Sequence, residues 1–213
     1  MSQRRKLIIV GAGGLGRIVH DVISNTPVFA ERYDLAGFLD TRQDPALPPD
    51  LQHLLLGNPL HHAVAKDEVF MAAIGLPAWR EKLVAPLLAQ EAEFLGYDSG
   101  AIIGKRTRIG TGVFLTPGVV ISVDCVIDAF TYLDTHVVIG HDVVIGQHCM
   151  VGAMSFLAGG VKVGNGVSIH PRATIAKGVK IGDGATIGIG SVVLKDVPAG
   201  ASVFGNPARI IYA

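Results

Sequence analysis

Residues 133–163 read LDTHVVIGHDVVIGQHCMVGAMSFLAGGVKV, and every sixth residue of this stretch is aliphatic. The same spacing extends in both directions, so that sixteen consecutive hexad positions from residue 103 to residue 193 are Ile, Leu or Val. A short period sustained over so many residues is typical of a solenoid, in which each repeat packs only against its neighbours. The sixteen positions are Ile103, Ile109, Leu115, Ile121, Ile127, Leu133, Ile139, Ile145, Val151, Leu157, Val163, Ile169, Ile175, Ile181, Ile187 and Val193.

The remaining positions of each hexad predict a short strand followed by a tight turn. The residue after the aliphatic one is often glycine, and the residue two before it is always small or β-branched. Six residues advance an α-helix by about 600°, so the aliphatic residues would not share one helix face. Stacked coils bury them as columns instead, and the unbroken period predicts no long loop between residues 103 and 193.

Composition excludes several classes of partner. Lys plus Arg number eighteen, as do Asp plus Glu, so no basic surplus favours nucleic acid. No apolar run approaches the roughly 20 residues needed to cross a membrane, and the run Leu7–Val10 is far shorter than a signal-peptide core. Cys125 and Cys149 both fall at the small inward hexad position. We expect buried free thiols and a cytoplasmic protein without a membrane partner.

Before the repeats, strands and helices alternate, which predicts a small α/β domain with a parallel sheet. The expected strands are residues 6–10, 33–39 and 69–74, with a short strand at 93–97 leading into the repeats. The expected helices are residues 17–24 and 77–90, and residues 41–58 form a proline-rich loop with a helical turn at 51–56.

A glycine loop lies between the first strand and the first helix. Its sequence, GAGGLG at 11–16, follows the G-x-G-x-x-G pattern, in which bare N–H groups at a helix N-terminus suit an anion. Asp40 stands 24 residues after the loop, where an NAD-binding domain has its ribose ligand. Residues 1–97 are too few for two mononucleotide halves, so one half that binds one nucleotide is preferred. The alternative is that the glycines only close a strand–helix turn.

Several stretches together carry a family resemblance. They are GAGGLGR at 11–17, VVIGHDVVIG at 137–146, LAGGVKVG at 157–164 and KDVPAGASVFGNPARII at 195–211. The combination resembles the hexapeptide-repeat sugar O- and N-acyltransferases, which include nucleotide-linked 4-amino-sugar N-acetyltransferases and a sialic acid O-acetyltransferase. The resemblance implies an α/β nucleotide-sugar-binding domain at 1–97. It implies a left-handed parallel β-helix acyltransferase domain with a C-terminal tail at 98–213.

The resemblance also implies a catalytic histidine followed by an acid, here His141 and Asp142. An amine must lose a proton before it attacks a thioester, and imidazole titrates close enough to neutrality to accept it. Successive strand residues point to opposite sides, so contact between His141 and Asp142 requires a corner. Asp134, or an acid from another subunit, is the alternative orienting group. The alternative for His141 is a solvated corner histidine.

Acetyl-CoA is the implied cosubstrate. Gly159 follows His141 by eighteen residues, one coil above it, and a backbone N–H of Gly159 or Gly160 would stabilise the thioester oxyanion. Met150 stands near the coenzyme, where relatives often carry a second histidine. Lys195 and Arg209 are candidates for the coenzyme phosphates.

The nucleotide-linked sugar is implied to bind the N-terminal domain. Gly13 and Gly14 would face phosphate or ribose, Asp40 would contact base or ribose, and Ile74 with Gly75 would line the base site.

Four further residues, at three sites, depart from the pattern of the relatives. Leu15 replaces a histidine in the glycine loop, Tyr97-Asp98 replaces a His-Pro pair, and Asp134 replaces an asparagine. These departures bear on the sugar and on the contacts to the acetyl carbonyl, and they leave the base in place.

The sequence therefore predicts an acetyl-CoA-dependent N-acetyltransferase for a nucleotide-linked sugar of the 4-amino-4,6-dideoxy type. It would act by direct attack without a metal, as a homotrimer with sites between adjacent prisms. One alternative is a sialic acid O-acetyltransferase. A second is a γ-type carbonic anhydrase, whose zinc histidines are five residues apart like His136 and His141, although Gly100 stands where the third ligand is expected. A third is a non-catalytic sugar-nucleotide-binding module.

Overall fold

The structure is a computed structural model that describes residues 4–212, and these form two compact units. The first unit comprises the described residues up to Gly75 together with Trp79–Leu95. The second comprises Leu76–Ala78 and the described residues from Gly96 onward.

The first unit is a small parallel sheet with flanking helices, as the alternation of elements predicts. Its elements are β1 (Arg5–Val10), α1 (Gly14–Ser24), α2 (Pro27–Arg32), β2 (Tyr33–Leu39), a 3-10 turn (Gln52–Leu54), β3 (Leu55–Gly57), β4 (Glu68–Ala72) and most of α3 (Pro77–Leu88). The strand order is β3-β2-β1-β4, and all three pairings are parallel. The central strand β1 is buried from Leu7 to Val10. The backbone of the residues that follow it is therefore fixed at the carboxyl end of the strands.

Some elements differ from the sequence prediction. Helix α2 has no buried residue and strand β3 is an edge strand with two exposed residues, so neither has an apolar pattern that predicts it. Strand β4 ends at Ala72, two residues early. The expected strand at 93–97 is reduced to a single bridge between Phe70 and Phe94, followed by a strand of the second unit.

The second unit is a parallel β-solenoid with three flat faces, the architecture expected of a left-handed β-helix. Every one of the sixteen aliphatic positions is the second residue of a two-residue strand, with no insertion between them. The strands are β5 (Tyr97–Asp98), β6 (Ile102–Ile103), β7 (Arg108–Ile109), β8 (Phe114–Leu115), β9 (Val120–Ile121), β10 (Val126–Ile127), β11 (Tyr132–Leu133), β12 (Val138–Ile139), β13 (Val144–Ile145), β14 (Met150–Val151), β15 (Phe156–Leu157), β16 (Lys162–Val163), β17 (Ser168–Ile169), β18 (Thr174–Ile175), β19 (Lys180–Ile181), β20 (Thr186–Ile187), β21 (Val192–Val193), β22 (Ser202–Gly205) and β23 (Ala208–Tyr212).

Three hexads make one coil. Face 1 contains β5, β8, β11, β14, β17, β20 and β22 with β23 antiparallel at its end, face 2 contains β6, β9, β12, β15, β18 and β21, and face 3 contains β7, β10, β13, β16 and β19. From β6 to β21 strand partners are eighteen residues apart, as Val138 and Phe156 are on face 2. From Leu115 onward the aliphatic columns and the small apolar residues beside them form one buried core, whereas Ile103 and Ile109 in the first coil are exposed. Cys125 and Cys149 are buried and free within it, as predicted.

The corners of the prism hold a left-handed backbone conformation, which lets the chain turn within four residues. At the corner between faces 2 and 3, Arg106, Asp124 and Asp142 have φ of 62°, 59° and 58°. Gly160 and Gly178 occupy the same place in the next coils. Aspartate tolerates this conformation better than most residues that carry a side chain. Residues eighteen apart therefore form vertical columns at each corner.

Candidate functional site

His141 and Asp142 lie at the corner between faces 2 and 3, in the turn that joins β12 to β13. The left-handed backbone at Asp142 turns its side chain toward that of its neighbour, and His141 Nδ1 lies 2.7 Å from Asp142 Oδ2. The side-chain contact between His141 and Asp142, which requires a corner at this point of the chain, is therefore present. Both side chains are more than half exposed, so the opposite ring nitrogen, Nε2, is not enclosed by the core.

The backbone of Gly159 lies against the His141 ring, one coil above it. A Cβ atom at residue 159 would lie 2.5 Å from His141 Nε2 and 2.7 Å from Cε1, inside the van der Waals distance. Unlike the neighbouring Gly160, whose φ is +74°, Gly159 does not have a left-handed backbone. A Cβ atom at this position would therefore displace the His141 ring, whereas the fold of the turn does not itself require glycine.

The two glycines differ in what their backbone can offer to a ligand. The N–H of Gly160 donates to the carbonyl of His141 at 2.8 Å, so the ladder between coils already uses it. The N–H of Gly159 donates to no backbone acceptor within residues 4–212, whereas its carbonyl accepts from Gly178 at 3.1 Å. Of the two glycines, Gly159 is thus the one with a backbone donor available next to the imidazole.

Asp134 does not contact His141. Its Oδ1 accepts hydrogen bonds from the backbone N–H of Thr135 at 2.8 Å and from the hydroxyl of Thr135 at 3.3 Å. Within the described chain, Asp142 is the carboxylate that contacts the histidine ring.

Two charged residues in the coils below the histidine were not among the site residues predicted from the sequence. Asp124 occupies the corner one coil before Asp142, and Arg106 the corner one coil before Asp124. Arg106 donates from Nε and Nη2 to the two carboxylate oxygens of Asp124, at 2.5 and 2.7 Å. The side-chain hydrogen bond from Arg106 lowers the pKa of Asp124, and the charges of Arg106 and His141 act in the same direction. The eighteen-residue spacing of residues 106, 124 and 142 is the sequence feature that predicts this stacking.

A groove on face 3 lies in the coils above His141. Its lining includes Lys162, Lys180 and Asp196, and its volume is ≈ 550 Å³. The two lysines are exposed partners in adjacent strands, and Asp196 Oδ1 accepts the backbone N–H of Lys180 at 2.8 Å. Like charges directly opposite each other in a sheet are unfavourable, which makes this basic pair a candidate anion contact.

The other residues assigned to the coenzyme are dispersed. Lys195 is exposed just after β21, at the end of a face 2 strand. Met150 lies on face 1 between Tyr132 and Ser168, and Arg209 lies on β23 at the end of face 1. Met150 and Arg209 are thus on a different face from the groove of Lys162 and Lys180.

In the first unit, the glycine loop joins β1 to α1 as the sequence predicts. Gly11 has φ +105°, and a Cβ atom at Gly16 would collide with the carbonyl oxygen of Gly11, so both glycines are required by the turn. Gly13 is the N-cap of α1, and Gly14 is exposed with no atom near the place of its absent side chain. The start of α1 is therefore open to a ligand.

The carboxylate of Asp40 is saturated by hydrogen bonds inside the unit. Oδ1 accepts from the backbone N–H and Nε of Arg42, both at 2.9 Å, and Oδ2 accepts from Arg42 Nη2 and the N–H of Ala12, both at 2.8 Å. A carboxylate has about four acceptor sites, and all are in use. Burial alone raises the pKa of Asp40, but these hydrogen bonds outweigh it and lower the pKa to about 2.

Arg42 is the more accessible member of this pair. Its side chain is 53% exposed, and a Cβ atom at Gly13 would lie 3.6 Å from Arg42 Nη2. Asp40, Arg42 and the β3 segment Leu55–Gly57 line a cavity of ≈ 430 Å³. The sequence interpretation chose the acid and missed the arginine, because the fingerprint of dinucleotide-binding domains names only an acid at this place.

Ile74 and Gly75 form the loop after β4. Arg80, which is only 2% exposed, donates from Nη1 to the carbonyl of Ile74 at 2.8 Å and holds this loop. Gly75 is half-buried, and no atom lies within 4 Å of the place of its absent side chain.

His136 and His141 do not form a zinc pair within one chain. His136 lies at the corner between faces 1 and 2, where its ring packs against Gly118. Residues 4–212 contain no group of three or more His, Cys, Asp or Glu side chains placed to hold a metal. None of the helices in that range has the length and apolar character to cross a membrane.

Three protein families match parts of the chain. Residues 6–87 match the PglD N-terminal domain, residues 100–135 and 142–170 match the hexapeptide repeat of succinyl-transferase, and residues 160–195 match the bacterial transferase hexapeptide of six repeats. A comparison with curated protein sequences found no significant match. The family matches confirm the resemblance seen in the sequence.

Solved structures share the fold over nearly the whole chain. The acetyltransferase domain of PglB from Neisseria gonorrhoeae FA1090 is 23% identical, with 98% of this chain and 100% of that chain covered and a TM-score of 0.83. PerB from Caulobacter crescentus, in complex with CoA and GDP-perosamine, is 28% identical, with 96% of both chains covered and a TM-score of 0.83. Both matches confirm the fold class, and the match to PerB together with the transferase hexapeptide families confirms the prediction of an acyltransferase.

A third structure is a histidine-to-asparagine mutant of perosamine N-acetyltransferase from Caulobacter crescentus, also in complex with CoA and GDP-perosamine. It is 27% identical, with 98% of this chain and 97% of that chain covered and a TM-score of 0.83.

Proposed function

We propose that this chain, which joins a PglD N-terminal domain to the hexapeptide repeats of bacterial transferases, is an acetyl-CoA-dependent N-acetyltransferase for a nucleotide-linked amino sugar. The observation that carries the proposal is the exposed His141–Asp142 pair against the bare backbone of Gly159. The match to PerB, whose complex holds CoA and GDP-perosamine, favours a sugar of the 4-amino-4,6-dideoxy type.

The chemistry follows from the two ring nitrogens. Asp142 holds Nδ1 of His141 and stabilises the charge that the ring gains, so Nε2 is the nitrogen that accepts the proton. The sugar nitrogen forms a bond to the acetyl carbon, the carbon–sulfur bond breaks, and coenzyme A leaves as the thiolate. The proton taken by His141 then passes to the sulfur. General base catalysis of this kind contributes about 10²- to 10⁴-fold.

Gly159 supports the same reaction from the backbone. In the tetrahedral intermediate the thioester oxygen becomes negative, and a positioned N–H donor stabilises it. The N–H of Gly159 has no backbone acceptor among the described residues and lies beside the ring. We assign this role to Gly159 rather than to Gly160.

The coenzyme phosphates are assigned to the basic groove above His141. Lys162 and Lys180 stand side by side there, and Lys195 directly precedes Asp196, which lines the same groove. Successive coils are about 4.8 Å apart, so a pantetheine arm that starts at His141 crosses two to three coils before its diphosphate. Met150 and Arg209 lie on face 1, and they would reach the coenzyme only from a neighbouring subunit.

The nucleotide is assigned to the first unit. The open start of α1 at Gly13 and Gly14 suits the diphosphate, and the half-exposed guanidinium of Arg42 adds a positive charge beside it. Asp40 then acts through Arg42, which it holds with two side-chain hydrogen bonds. Ile74 and Gly75 remain the proposed base contacts.

A second copy of this chain is the proposed partner of face 2. Its outward side chains include the exposed Ile102, Val138 and Phe156. Face 3 instead carries Arg108, Lys162 and Lys180 among its outward residues, and the outward Phe114 and Tyr132 of face 1 are already buried within the chain. Exposed apolar surfaces of this kind mark interaction sites. A homotrimer closed through face 2 would place His141 in a groove between prisms, in a cytoplasmic enzyme.

The test is release of free coenzyme A from acetyl-CoA with a panel of UDP-, dTDP- and GDP-linked 4-amino sugars and free sialic acid. We expect turnover with at least one nucleotide-linked amino sugar. The variant His141→Asn should lose at least about 100-fold in kcat while its circular dichroism spectrum and melting temperature stay unchanged.

The outcomes separate the alternatives. Turnover of sialic acid alone would establish the O-acetyltransferase alternative, and no thiol release with any acceptor would favour a binding module. Full activity of His141→Asn would refute the proposed base. Stoichiometric zinc together with carbon dioxide hydration would favour the carbonic anhydrase alternative.

A further inference from the structure

We propose that Arg106 and Asp124 are positioning residues that set the charge beneath the His141–Asp142 pair. The inference rests on the proposed role of His141 as the base. Neither residue touches the proposed substrate position, and both act through the histidine and its aspartate.

The geometry is a vertical column at one corner of the prism. Arg106, Asp124 and Asp142 occupy equivalent positions in three successive coils, with nearly equal φ angles of 62°, 59° and 58°. The ladder holds them in register, because the N–H of Asp142 donates to Val123 and the N–H of Asp124 donates to Lys105. Coils stack at about 4.8 Å, so two carboxylates are forced onto neighbouring levels.

Like charges on neighbouring strands repel each other, and this column relieves the repulsion in a specific way. Within the described chain, both side-chain hydrogen bonds of Arg106 go to Asp124, at 2.5 and 2.7 Å, and neither goes to Asp142. The guanidinium therefore neutralises the lower carboxylate and leaves the upper one to the imidazole. Bidentate Arg–carboxylate pairs have a fixed orientation, which keeps Arg106 from moving up to Asp142.

The column is electrostatically coupled to the histidine. The charge of His141 contributes to the lowered pKa of Asp124, and the charge of Asp142 contributes to the raised pKa of Arg106, after the larger contributions of the Arg106–Asp124 hydrogen bonds. The charge of Asp142 thus acts on Arg106 across two coils, although the side chains of Arg106 and Asp124 are exposed to solvent.

Few ionisable side chains lie in the stacked turns of this corner. The turn that carries His141 contains Asp142, and the turn above it, Ala158–Val161, contains no ionisable side chain. The turn below contains Asp124 and the buried thiol of Cys125, whose pKa burial raises. Two coils away, the corner turns contain Lys105 with Arg106 below and Lys177 above. Asp124 is therefore the nearest carboxylate besides Asp142 that can stabilise the protonated ring.

The direction of each effect follows from the charges. Arg106→Gln leaves Asp124 uncompensated, so the protonated imidazole is favoured and the acid limb of the kcat/KM profile moves to higher pH. Asp124→Asn leaves Arg106 uncompensated, so the limb moves to lower pH, and Arg106 is freed to compete for Asp142. Asparagine tolerates the left-handed corner, so the second variant adds little strain.

The experiment measures the pH dependence of kcat/KM and the NMR titration of the His141 ring in the substrate-free enzyme. We expect each single variant to shift both midpoints by about half a pH unit at low ionic strength, in opposite directions. The double variant should return close to the wild-type midpoint. At about 1 M salt, where the screening length is about 3 Å, the shifts should shrink.

Arg172→Gln is the matched control, because Arg172 is an exposed arginine with φ 61° at a different corner, between faces 1 and 2. It repeats the loss of charge and the backbone environment away from His141, and its midpoints should stay at the wild-type value. Equal shifts in Arg172→Gln and Arg106→Gln would overturn the inference.

The two readouts separate this inference from the proposed function. A ring midpoint that moves as predicted in a protein without acetyltransferase activity would support the column and refute the proposed function. If the enzyme is active but the titration midpoint of the His141 ring is the same in the wild type and in both single variants, the positioning role of Arg106 and Asp124 alone would be refuted.

Discussion

At the scale of single residues, the imidazole of His141 accounts for the glycine at position 159 better than the backbone of the turn does. Gly159 has an ordinary backbone conformation, and the same place in other coils is taken by Val123 and Lys177. A side chain is therefore compatible with the turn, and the atoms that a Cβ atom at residue 159 would displace belong to the ring of His141. The sequence alone shows a glycine pair at 159–160. It does not show that glycine suits residue 160 because of the left-handed backbone and residue 159 because of the His141 ring.

Gly159→Ala should consequently damage activity more than stability. The added methyl group displaces the His141 ring, and misplacement of a catalytic group by about 1 Å costs on the order of 100-fold in rate. We expect a drop of that size in kcat, measured by coenzyme A release, with a melting temperature near that of the wild type.

The control for this prediction is Gly166→Ala. Gly166 has φ +64° and open space around it, so alanine there is strained by about 1–2 kcal/mol but contacts nothing. This variant should lose stability and keep its kcat. A Gly159→Ala enzyme with wild-type kcat would contradict the contact between ring and backbone.

Asp40 gives the first unit a predictable response to acid. Its pKa in the folded protein is about 2, below its ordinary value of 3.8, so its ionised form stabilises the fold. That contribution, about 2 kcal/mol, is complete above pH 4 and is lost as the pH falls toward 2. The free energy of unfolding of Asp40→Asn should therefore fall below that of the wild type at pH 7, and this difference should shrink at acid pH.

The measurement uses the fluorescence of Trp79, the one tryptophan of the chain, which lies in the first unit. Urea titrations between pH 7 and pH 2.5 would give the difference directly. Asp34→Asn is the control, because Asp34 forms an exposed ion pair with Arg4 and exposed pairs contribute little. Equal effects of both substitutions would contradict the role of the buried carboxylate.

At the scale of elements, the hexad period predicts the prism closely and the first unit less so. Each aliphatic position is the inward residue of a strand because only one register buries a column of Ile, Leu and Val. Helix α2 and strand β3 have little buried surface, so no apolar pattern is available to predict them. Asp40 and Arg42 are two residues apart, but their mutual hydrogen bonds depend on a backbone turn that no periodicity encodes.

Inward polar residues of the hexads also have a defined role. Thr131 is fully buried, and its hydroxyl donates to the carbonyl of Gly146 at 2.8 Å and accepts the N–H of Cys149 at 3.1 Å. Thr131→Val keeps the shape but removes both hydrogen bonds. We expect a loss of about 1–3 kcal/mol in the free energy of unfolding, because two buried backbone groups are left without this partner.

Thr131→Ser tests whether the hydroxyl is the cause. Serine retains both hydrogen bonds and loses one methyl group, so its cost should stay near about 1 kcal/mol. Chemical denaturation followed by circular dichroism would compare the two variants. A serine variant that is less stable than the valine variant would show that packing, rather than the hydroxyl, dominates at this position.

At the scale of the whole molecule, the three faces of the prism differ in chemistry although the hexad period treats them alike. The inward positions repeat on every face, so the period carries no information about the outward ones. Face 2 exposes apolar side chains, with Phe156 43% exposed and Ile102 67% exposed. The corner that carries His141 borders this face, so assembly and catalysis are expected to fail together if a second copy covers it.

Phe156→Glu tests that link. A carboxylate in the centre of an apolar interface is costly to bury, so the trimer should dissociate, and sedimentation at micromolar concentration should show smaller species. Coenzyme A release should fall with the trimer fraction, because each site is proposed to lie between two prisms. Arg108→Glu, an exposed outward position on face 3, reverses a charge without touching face 2 and should leave the assembly intact. A Phe156→Glu protein that stays trimeric and active would assign the interface to another face, and a wild-type monomer with full activity would remove the need for a partner subunit at the site.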